Sequence, residues 1–182
     1  MTIMADGVPV PVLETPRLRL REPRIEDFED IATMWADENV VRFITGKPSG
    51  RSDSWSRLLR HIGHWQALSY GYWSVEERET GRFCGHIGFA EHKRDITPSI
   101  EGVPEIGWVL ATHAHGRGIA TEAVAAAVQW GDRHFSEPRT VCLFDPDNAA
   151  SMRVAEKNGY RVCCMARMND KDTLMMERMR AI

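Results

Sequence analysis

Two periods of apolar residues run along the chain, and they predict strands and helices. Residues 15–21 alternate apolar and basic side chains, which is typical of a half-buried strand whose arginines at 17, 19 and 21 line a solvated face. Apolar residues then recur every three or four positions in residues 25–36 and in residues 52–68, so each segment is predicted to be an amphipathic helix. A break rich in Gly, Pro and Ser at residues 45–50 separates the two helices.

The second half of the chain begins with strands and then alternates helix and strand. A turn at residues 79–82 joins two predicted strands into a hairpin, and a polar loop at residues 93–104 follows. Residues 119–131 repeat apolar side chains at helical spacing, and a last helix, over residues 148–158, ends before Gly159. The predicted strands of this half cover residues 70–76, 83–91, 105–111, 140–144, 160–166 and 173–179.

This order, β-α-α-β-β-β-α-β-α-β-β, predicts an α/β fold. One βαβ unit lies in the middle of the chain, whereas the N-terminal strands are expected to be antiparallel. A central mixed sheet with helices on both faces buries all of the apolar stripes. The length fits a single domain over residues 1–182, in which residues 1–13 show no apolar period and are expected to form a loose arm.

Composition and charge narrow the class of protein. Hydrophobic residues make up 43% of the chain and charged residues 27%, as in globular proteins. A formal net charge of -3 gives no reason to expect a nucleic-acid partner or an anionic membrane surface. No apolar run approaches the roughly 20 residues of a membrane span, no signal peptide opens the chain, and the four cysteines form no C-x-x-C pair. We therefore expect a cytoplasmic protein.

The segment Gly116-Arg117-Gly118 joins a predicted strand to a predicted helix. Such a junction presents unpaired amides and the positive end of the helix dipole, which suits a phosphate group. It is also an ordinary way to connect a strand to a helix, and the local sequence leaves both interpretations open. The chain has neither a G-x-x-x-x-G-K-[ST] motif nor a G-x-G-x-x-G at the start of a βαβ unit, which argues against nucleoside triphosphates and nicotinamide cofactors.

Five motifs occur in a set order between residues 14 and 166. They are the strand at residues 14–21, Gly85-His86-Ile87-Gly88, Glu105-Ile106-Gly107-Trp108, the turn and helix start at residues 116–123, and Asn148-Ala149-Ala150-Ser151 with Glu156-Lys157-Asn158-Gly159-Tyr160. This ordered set resembles the GNAT acetyltransferase superfamily, specifically its ribosomal-protein N-terminal (alanine) acetyltransferase-like branch. The resemblance implies the acyl-CoA N-acyltransferase fold and acetyl transfer from acetyl-CoA to an amine.

The resemblance also implies where acetyl-CoA binds. Amides from about residue 115 to residue 121 would hold the diphosphate, and pantetheine would lie where the strand at residues 108–110 splays from the strand beginning near Thr140. An amide near Val109 would polarise the thioester carbonyl, and the Asn148 side chain would bond the pantetheine arm. The implied cofactor-binding residues are Trp108, Val109, Leu110, His115, Gly116, Arg117, Gly118, Ile119, Ala120, Thr121, Asn148 and Ser151.

Two positions depart from the family pattern. His115 stands where the turn usually begins with Gln or Arg, and we expect this to be tolerated because backbone amides make the contacts. Many members carry a tyrosine in the last helix, in a Leu-Tyr-Glu-Lys-like string, but residues 154–157 here read Val-Ala-Glu-Lys. In the ribosomal-protein branch a serine three residues after the asparagine is proposed as the acid instead, and it corresponds to Ser151.

The candidate catalytic residues are Ser151, Glu105 and Asp170. Transfer needs a neutral amine and a proton for the leaving thiolate. Glu105 is the first candidate base, against the alternative of a solvated carboxylate at the start of a strand. Asp170 is the second, although a polar turn is its simpler interpretation. For Ser151 the alternative is a hydroxyl bonded to its own helix backbone.

The remaining predictions concern metals and partners. The histidine pairs at residues 61 and 64 and at residues 113 and 115 lack companion ligands at zinc spacing, so we expect surface histidines and no metal. No cysteine occupies a matching catalytic position, so direct transfer to an amine, either a protein N-terminus or a small molecule, is the main hypothesis. A non-catalytic acetyl-CoA-binding module is the alternative. The assembly is expected to be a monomer or a homodimer.

Overall fold

A computed structural model describes residues 9–180, which form five helices and nine strands. The helices are α1 (Phe28–Ala36), α2 (Glu38–Val41), α3 (Arg51–Leu68), α4 (Ile119–His134) and α5 (Ala149–Lys157). The strands are β1 (Leu13–Glu14), β2 (Leu18–Arg21), β3 (Tyr72–Glu77), β4 (Phe83–Ala90), β5 (Ile96–Thr97), β6 (Glu105–Leu110), β7 (Arg139–Phe144), β8 (Arg161–Met168) and β9 (Lys171–Met179).

All nine strands belong to one mixed sheet, in the order β1-β2-β3-β4-β6-β7-β9-β8-β5. Neighbouring strands are antiparallel except β6 and β7, which are parallel. These two strands share a single residue pair, Glu105 with Val141, and the amide of Val141 donates to the Pro104 carbonyl at 3.1 Å. Beyond that pair the sheet opens into a gap.

The two faces of the sheet are covered by different helices, as two adjacent residues of β3 show. Tyr72 points to one face, where its ring stacks on His61 of α3 with centroids 4.6 Å apart. Trp73 points to the other face, where it meets Trp130 of α4 at 5.1 Å. The α4 face carries the main apolar core, and a second apolar cluster joins α1, α2 and α3 to Phe83 and Val109.

The predicted α/β fold with a mixed sheet and helices on both faces is confirmed, and three short elements were not predicted. β1 and β5 have two residues each, and α2 has four. The loose arm is wrong for its last residues, because Val10 and Leu13 pack on the core and the Pro11 carbonyl accepts a hydrogen bond from Trp73 Nε1 at 2.8 Å. Residues 1–8 of the predicted arm lie outside the described residues.

A buried polar chain runs beneath the helices of the α3 face. Arg21 donates to both carboxylate oxygens of Asp27, at 2.8 and 3.0 Å, and also pairs with Glu76 at 2.7 Å. The Ser74 hydroxyl donates to Asp27 at 2.7 Å, and His86 Nε2 bonds Ser74 Oγ at 3.2 Å. The expectation of a solvated Arg21 is wrong, since only 12% of its side chain is exposed.

Replacing Asp27 tests how much this chain stabilises the fold. Asp27→Asn leaves Arg21 short of a buried charged partner, and we expect the free energy of unfolding in urea at pH 7 to fall by about 3 kcal/mol. The matched control is Glu14→Gln, whose pair with Arg19 is half exposed on both sides; its effect should stay below about 0.5 kcal/mol. Equal effects of the two variants would contradict a stabilising role for the buried chain.

The pH dependence of the Asp27→Asn effect follows from the same contacts. Burial tends to raise the pKa of Asp27, but hydrogen bonds from Arg21, the Arg24 amide and Ser74 outweigh it and leave the pKa below its usual value. The unfolded chain, with the higher pKa, therefore binds the proton first. The stabilisation is present above about pH 4 and is lost as the pH falls through the folded-state pKa, so the difference between wild type and Asp27→Asn should shrink below that pH.

Candidate active site

The turn before α4 carries a run of free backbone amides. Residues 115–118 are exposed, and Gly118 caps α4 with φ +75° and no side-chain hydrogen bond. Within residues 9–180, the amides of residues 116–121 have no backbone or side-chain acceptor, and the first bond of the helix runs from Glu122 N to Gly118 O at 3.1 Å. These amides and the positive end of the α4 dipole together form an anion-binding surface.

Side chains from β3 and from the segment between β1 and β2 hold this turn in place. Arg17 Nε donates to Glu122 Oε2 at 2.7 Å, and Arg17 Nη1 donates to the Arg117 carbonyl at 2.9 Å. Thr15 Oγ1 donates to the same Glu122 carboxylate at 2.6 Å, and Arg117 pairs with Glu77 at 2.7 Å. Arg17, expected only to line a solvated face, is thus an anchor of the turn, and the sequence held no sign of this long-range contact.

His115 begins the turn in a way that the sequence did not predict. Its Nε2 donates to the Leu110 carbonyl at 2.9 Å, so the ring folds back onto the end of β6. Its own amide donates to the Thr112 carbonyl at 3.0 Å. The run of free amides therefore starts at residue 116, one residue later than expected.

The gap between β6 and β7 leads from this turn into the sheet. Because the strands pair only at Glu105 and Val141, residues 107–110 of β6 have no partner on their β7 side. Trp108 and Phe144 flank the gap with ring centroids 6.2 Å apart. An extended chain with amide groups fits such an edge, since it completes the hydrogen bonds that the missing strand would make.

The start of α5 adds two polar side chains beside the open end of the gap. Asn148 follows the end of β7 and caps α5 by accepting a hydrogen bond from the Ser151 amide at 3.1 Å. Both residues are half-buried, and in the described structure the Ser151 hydroxyl makes no bond to its own helix. Asn158, which follows the last residue of α5, donates to the Thr121 carbonyl at 3.4 Å, so α5 lies against the start of α4.

Glu105 lies at the closed end of the gap and is not a solvated carboxylate. It is 5% exposed, and Arg94 binds both of its oxygens, at 2.6 and 2.8 Å. Both oxygens of the carboxylate are therefore held in one orientation. Arg94 lies in the predicted polar loop at residues 93–104, where no local pattern indicated this contact.

Asp170 lies in the turn between β8 and β9. It is exposed at the tip of the β8–β9 hairpin, where Asn169 and Asp170 both have positive φ, as in a two-residue turn. The polar turn predicted as its simpler interpretation is therefore present. The hairpin reaches the Glu105 side of the sheet through Arg94, which contacts Met168 Sδ at 3.8 Å.

The histidines on the α3 face are buried rather than at the surface. His61 is 6% exposed and His86 is fully buried, with ring centroids 4.6 Å apart. Burial lowers the pKa of His86 to about 4 and that of His61 well below its usual value, so both are neutral at pH 7. The prediction that His61 lies at the surface is therefore wrong.

In the described range, residues 9–180, no group of three or more His, Cys, Asp or Glu side chains could hold a metal ion, and no helix is both long and apolar enough to cross a membrane.

Comparison with known proteins agrees with this geometry. The family described as "Acetyltransferase (GNAT) domain" matches residues 17–161, which include the turn, the gap and α5. The chain belongs to this acetyltransferase family. The match covers most of the chain, and it confirms the resemblance drawn from the ordered motifs.

Individual GNAT relatives span almost the whole chain. The protein YkkB of Bacillus subtilis (strain 168), named as uncharacterized, is 31% identical over 175 residues, covering 91% of this chain and 94% of its own. A putative GNAT-family acetyltransferase from Bordetella pertussis is 29% identical, with a TM-score of 0.80 and coverage of 93% and 99%. RimL, a ribosomal L7/L12 alpha-N-protein acetyltransferase solved with coenzyme A, has a TM-score of 0.76, 16% identity and coverage of 93% and 98%, which shows a shared fold.

The shape of the GNAT turn can be tested at Gly118. Gly118→Val places a β-branched side chain at positive φ, a conformation that costs roughly 1–2 kcal/mol, and it should weaken coenzyme A binding at least tenfold in calorimetry. Gly118→Asn, with a residue that adopts positive φ more readily, is the matched control and should bind within about threefold of wild type. Equal affinities for the Val and Asn variants would show that the backbone shape of the turn does not determine binding.

Proposed function

We propose that this acetyltransferase moves an acetyl group from acetyl-CoA directly to a primary amine. The observation that carries the proposal is the run of free amides at residues 116–121, which stands at the open end of the gap between β6 and β7. A diphosphate needs hydrogen-bond donors and positive potential, and its thiol-bearing arm needs an extended path. The free amides supply the donors, and the adjoining edge of residues 107–110 supplies the extended path.

The residues around the gap fit coenzyme A. The diphosphate would accept hydrogen bonds from the turn amides, and pantetheine would lie along the free edge of residues 107–110. The half-buried Asn148 amide, whose Oδ1 already caps α5, keeps its Nδ2 donor for the pantetheine arm. Acetyl-CoA supplies an activated acyl group as a thioester, and its reacting end would reach toward Glu105.

Ser151 is the proposed proton donor to the leaving sulfur. Its hydroxyl makes no bond to the helix, so it is free to contact a ligand, and its amide is fixed by Asn148. The position where many family members carry a tyrosine is Ala155, which is fully buried in the core. A side chain at residue 155 therefore points into packed residues, and the donor must come from elsewhere.

Glu105 is the stronger candidate base. It lies at the closed end of the gap, whereas Asp170 projects from an exposed hairpin. Its bidentate pair with Arg94 fixes the orientation of the carboxylate, so it would act by orienting the amine or a water that takes its proton. Arg94 positions this carboxylate.

The acceptor is a primary amine of a protein N-terminus or of a small molecule. RimL, which shares the fold, acts on a protein α-amino group by its name. Fold likeness alone does not select the acceptor. The proposal therefore rests on acetyl transfer itself, and the acceptor is identified by the assay below.

Binding and turnover test the proposal together. Coenzyme A should bind in calorimetry and raise the melting temperature, and acetyl-CoA should be consumed with at least one member of a panel of peptides and amines. Ser151→Ala should lower kcat at least tenfold and leave the coenzyme A affinity within about threefold. Ser56→Ala, on the exposed side of α3, is the matched control. Binding without turnover would favour the non-catalytic acetyl-CoA-binding module.

The two carboxylates are separated by paired substitutions. Glu105→Gln should lower kcat/KM at least tenfold, because the neutral amide neither takes a proton nor orients a cationic amine. Asp170→Asn keeps a residue suited to positive φ and should change kcat/KM less than twofold. The reverse ranking, measured with melting temperatures to exclude unfolding, would assign the role to Asp170.

A further inference from the structure

Tyr72 reaches across the sheet toward the reacting end of the gap. In the register of the sheet, Tyr72 of β3 pairs with Gly88 of β4, and Gly88 pairs with Gly107 of β6. Since neither glycine has a side chain, the phenol lies flat over two strands. A Cβ at Gly107 would overlap the Tyr72 hydroxyl oxygen, so that oxygen sits directly above the β6 backbone.

The position of Gly107 shows where the Tyr72 hydroxyl lies relative to the gap. Gly107 is two residues beyond Glu105, where β6 makes its single pair with β7, so it lies where the gap begins. The Tyr72 hydroxyl therefore projects over the closed end of the gap, on the face opposite α4. Tyr72 is half-buried, and among the described residues no side chain or backbone group bonds its hydroxyl, which is therefore free to contact a ligand.

The surroundings of Tyr72 fix its ring and keep its proton. The His61 ring stacks on it with planes 4° apart, and the buried chain through His86 supports His61 from behind. Burial, with the Glu105 carboxylate nearby, raises the pKa of Tyr72 well above its usual value, and Arg94 and Arg60 oppose this only in part. The phenol is therefore neutral at physiological pH and acts as a hydrogen-bond donor.

We propose that the Tyr72 hydroxyl is a catalytic hydrogen-bond donor to the carbonyl oxygen of the acetyl group during transfer. This inference rests on the proposed function. As the amine nitrogen forms a bond to the carbonyl carbon, the oxygen gains negative charge, and Tyr72 stabilises it without giving up its proton. When the C–S bond breaks and the carbonyl forms again, the amine proton leaves through Glu105 or water. Ser151 protonates the thiolate and regains its own proton from solvent.

Removing the hydroxyl alone tests the proposal. Tyr72→Phe keeps the stacked ring and should lower kcat about 100-fold, as for the loss of one oxyanion donor, with KM for acetyl-CoA within about threefold. Tyr70→Phe is the matched control, since Tyr70 packs on Phe135 at the other face, and its kcat should stay within twofold. A loss below tenfold in Tyr72→Phe would overturn the inference.

The pH profile separates a donor from a base. Because the pKa of Tyr72 is raised, the ratio of wild-type to Tyr72→Phe activity should stay constant from pH 6 to about pH 9. A ratio that rises through this range would indicate a base and overturn the proposed role. An active wild type with an equally active Tyr72→Phe would refute only this inference, whereas a wild type inactive toward all amines would refute the proposed function as well.

A stability cycle tests the geometry without any activity. Gly107→Ala should lower the melting temperature sharply, because its methyl group meets the Tyr72 hydroxyl. In the Tyr72→Phe background the nearest remaining ring atom lies 3.2 Å from that methyl position, so the same substitution should be much less harmful. Additive effects of the two substitutions would show that the hydroxyl does not lie over Gly107.

Discussion

The single parallel contact between β6 and β7, at Glu105 and Val141, sets the geometry on which the site depends. Each of these strands is fully paired on its other side, β6 with β4 over six residue pairs and β7 with β9 over six. The sheet can therefore open between them without loosening either half. The opening leaves one run of β6 backbone without partners, and a ligand with amide groups supplies what the missing strand would. The β6 backbone groups that would pair with a neighbouring strand are therefore the groups left free for a ligand.

The two faces of the sheet differ in the kind of residue that they bury. On the α4 face, Trp73, Trp130 and their neighbours form an apolar core that fixes the turn at the start of α4. On the α3 face, polar residues run from Arg21 to Tyr72 under the helices, and burying them would be costly without mutual hydrogen bonds. Such a chain adds little stability that apolar packing would not supply. In the proposed mechanism, the chain holds the Tyr72 hydroxyl rigidly beside the gap.

The sequence predicted elements with a strong period and missed contacts made at long range. The repeat of residues 119–131 identified α4, and the ordered motifs located the turn, β6 and the start of α5. β1 and β5 were missed because two-residue strands are defined by their partners, Leu20 and Met168, rather than by any pattern of their own. The contact of Arg94 was missed, and the burial of His61 was not predicted, for the same reason. Their roles arise when a loop and a helix dock on the sheet, which a local pattern cannot encode.

Electrostatics explains why the site is built from dipoles rather than charges. His61 and His86 are neutral at pH 7, and the charge of Glu105 is balanced by Arg94. The transition state of acetyl transfer gains charge on oxygen and then on sulfur. Fixed hydroxyl and amide dipoles stabilise such developing charge without first attracting counter-ions or water. In the proposed mechanism the donors are the hydroxyls of Ser151 and Tyr72, so a tyrosine at the Ala155 position is not needed.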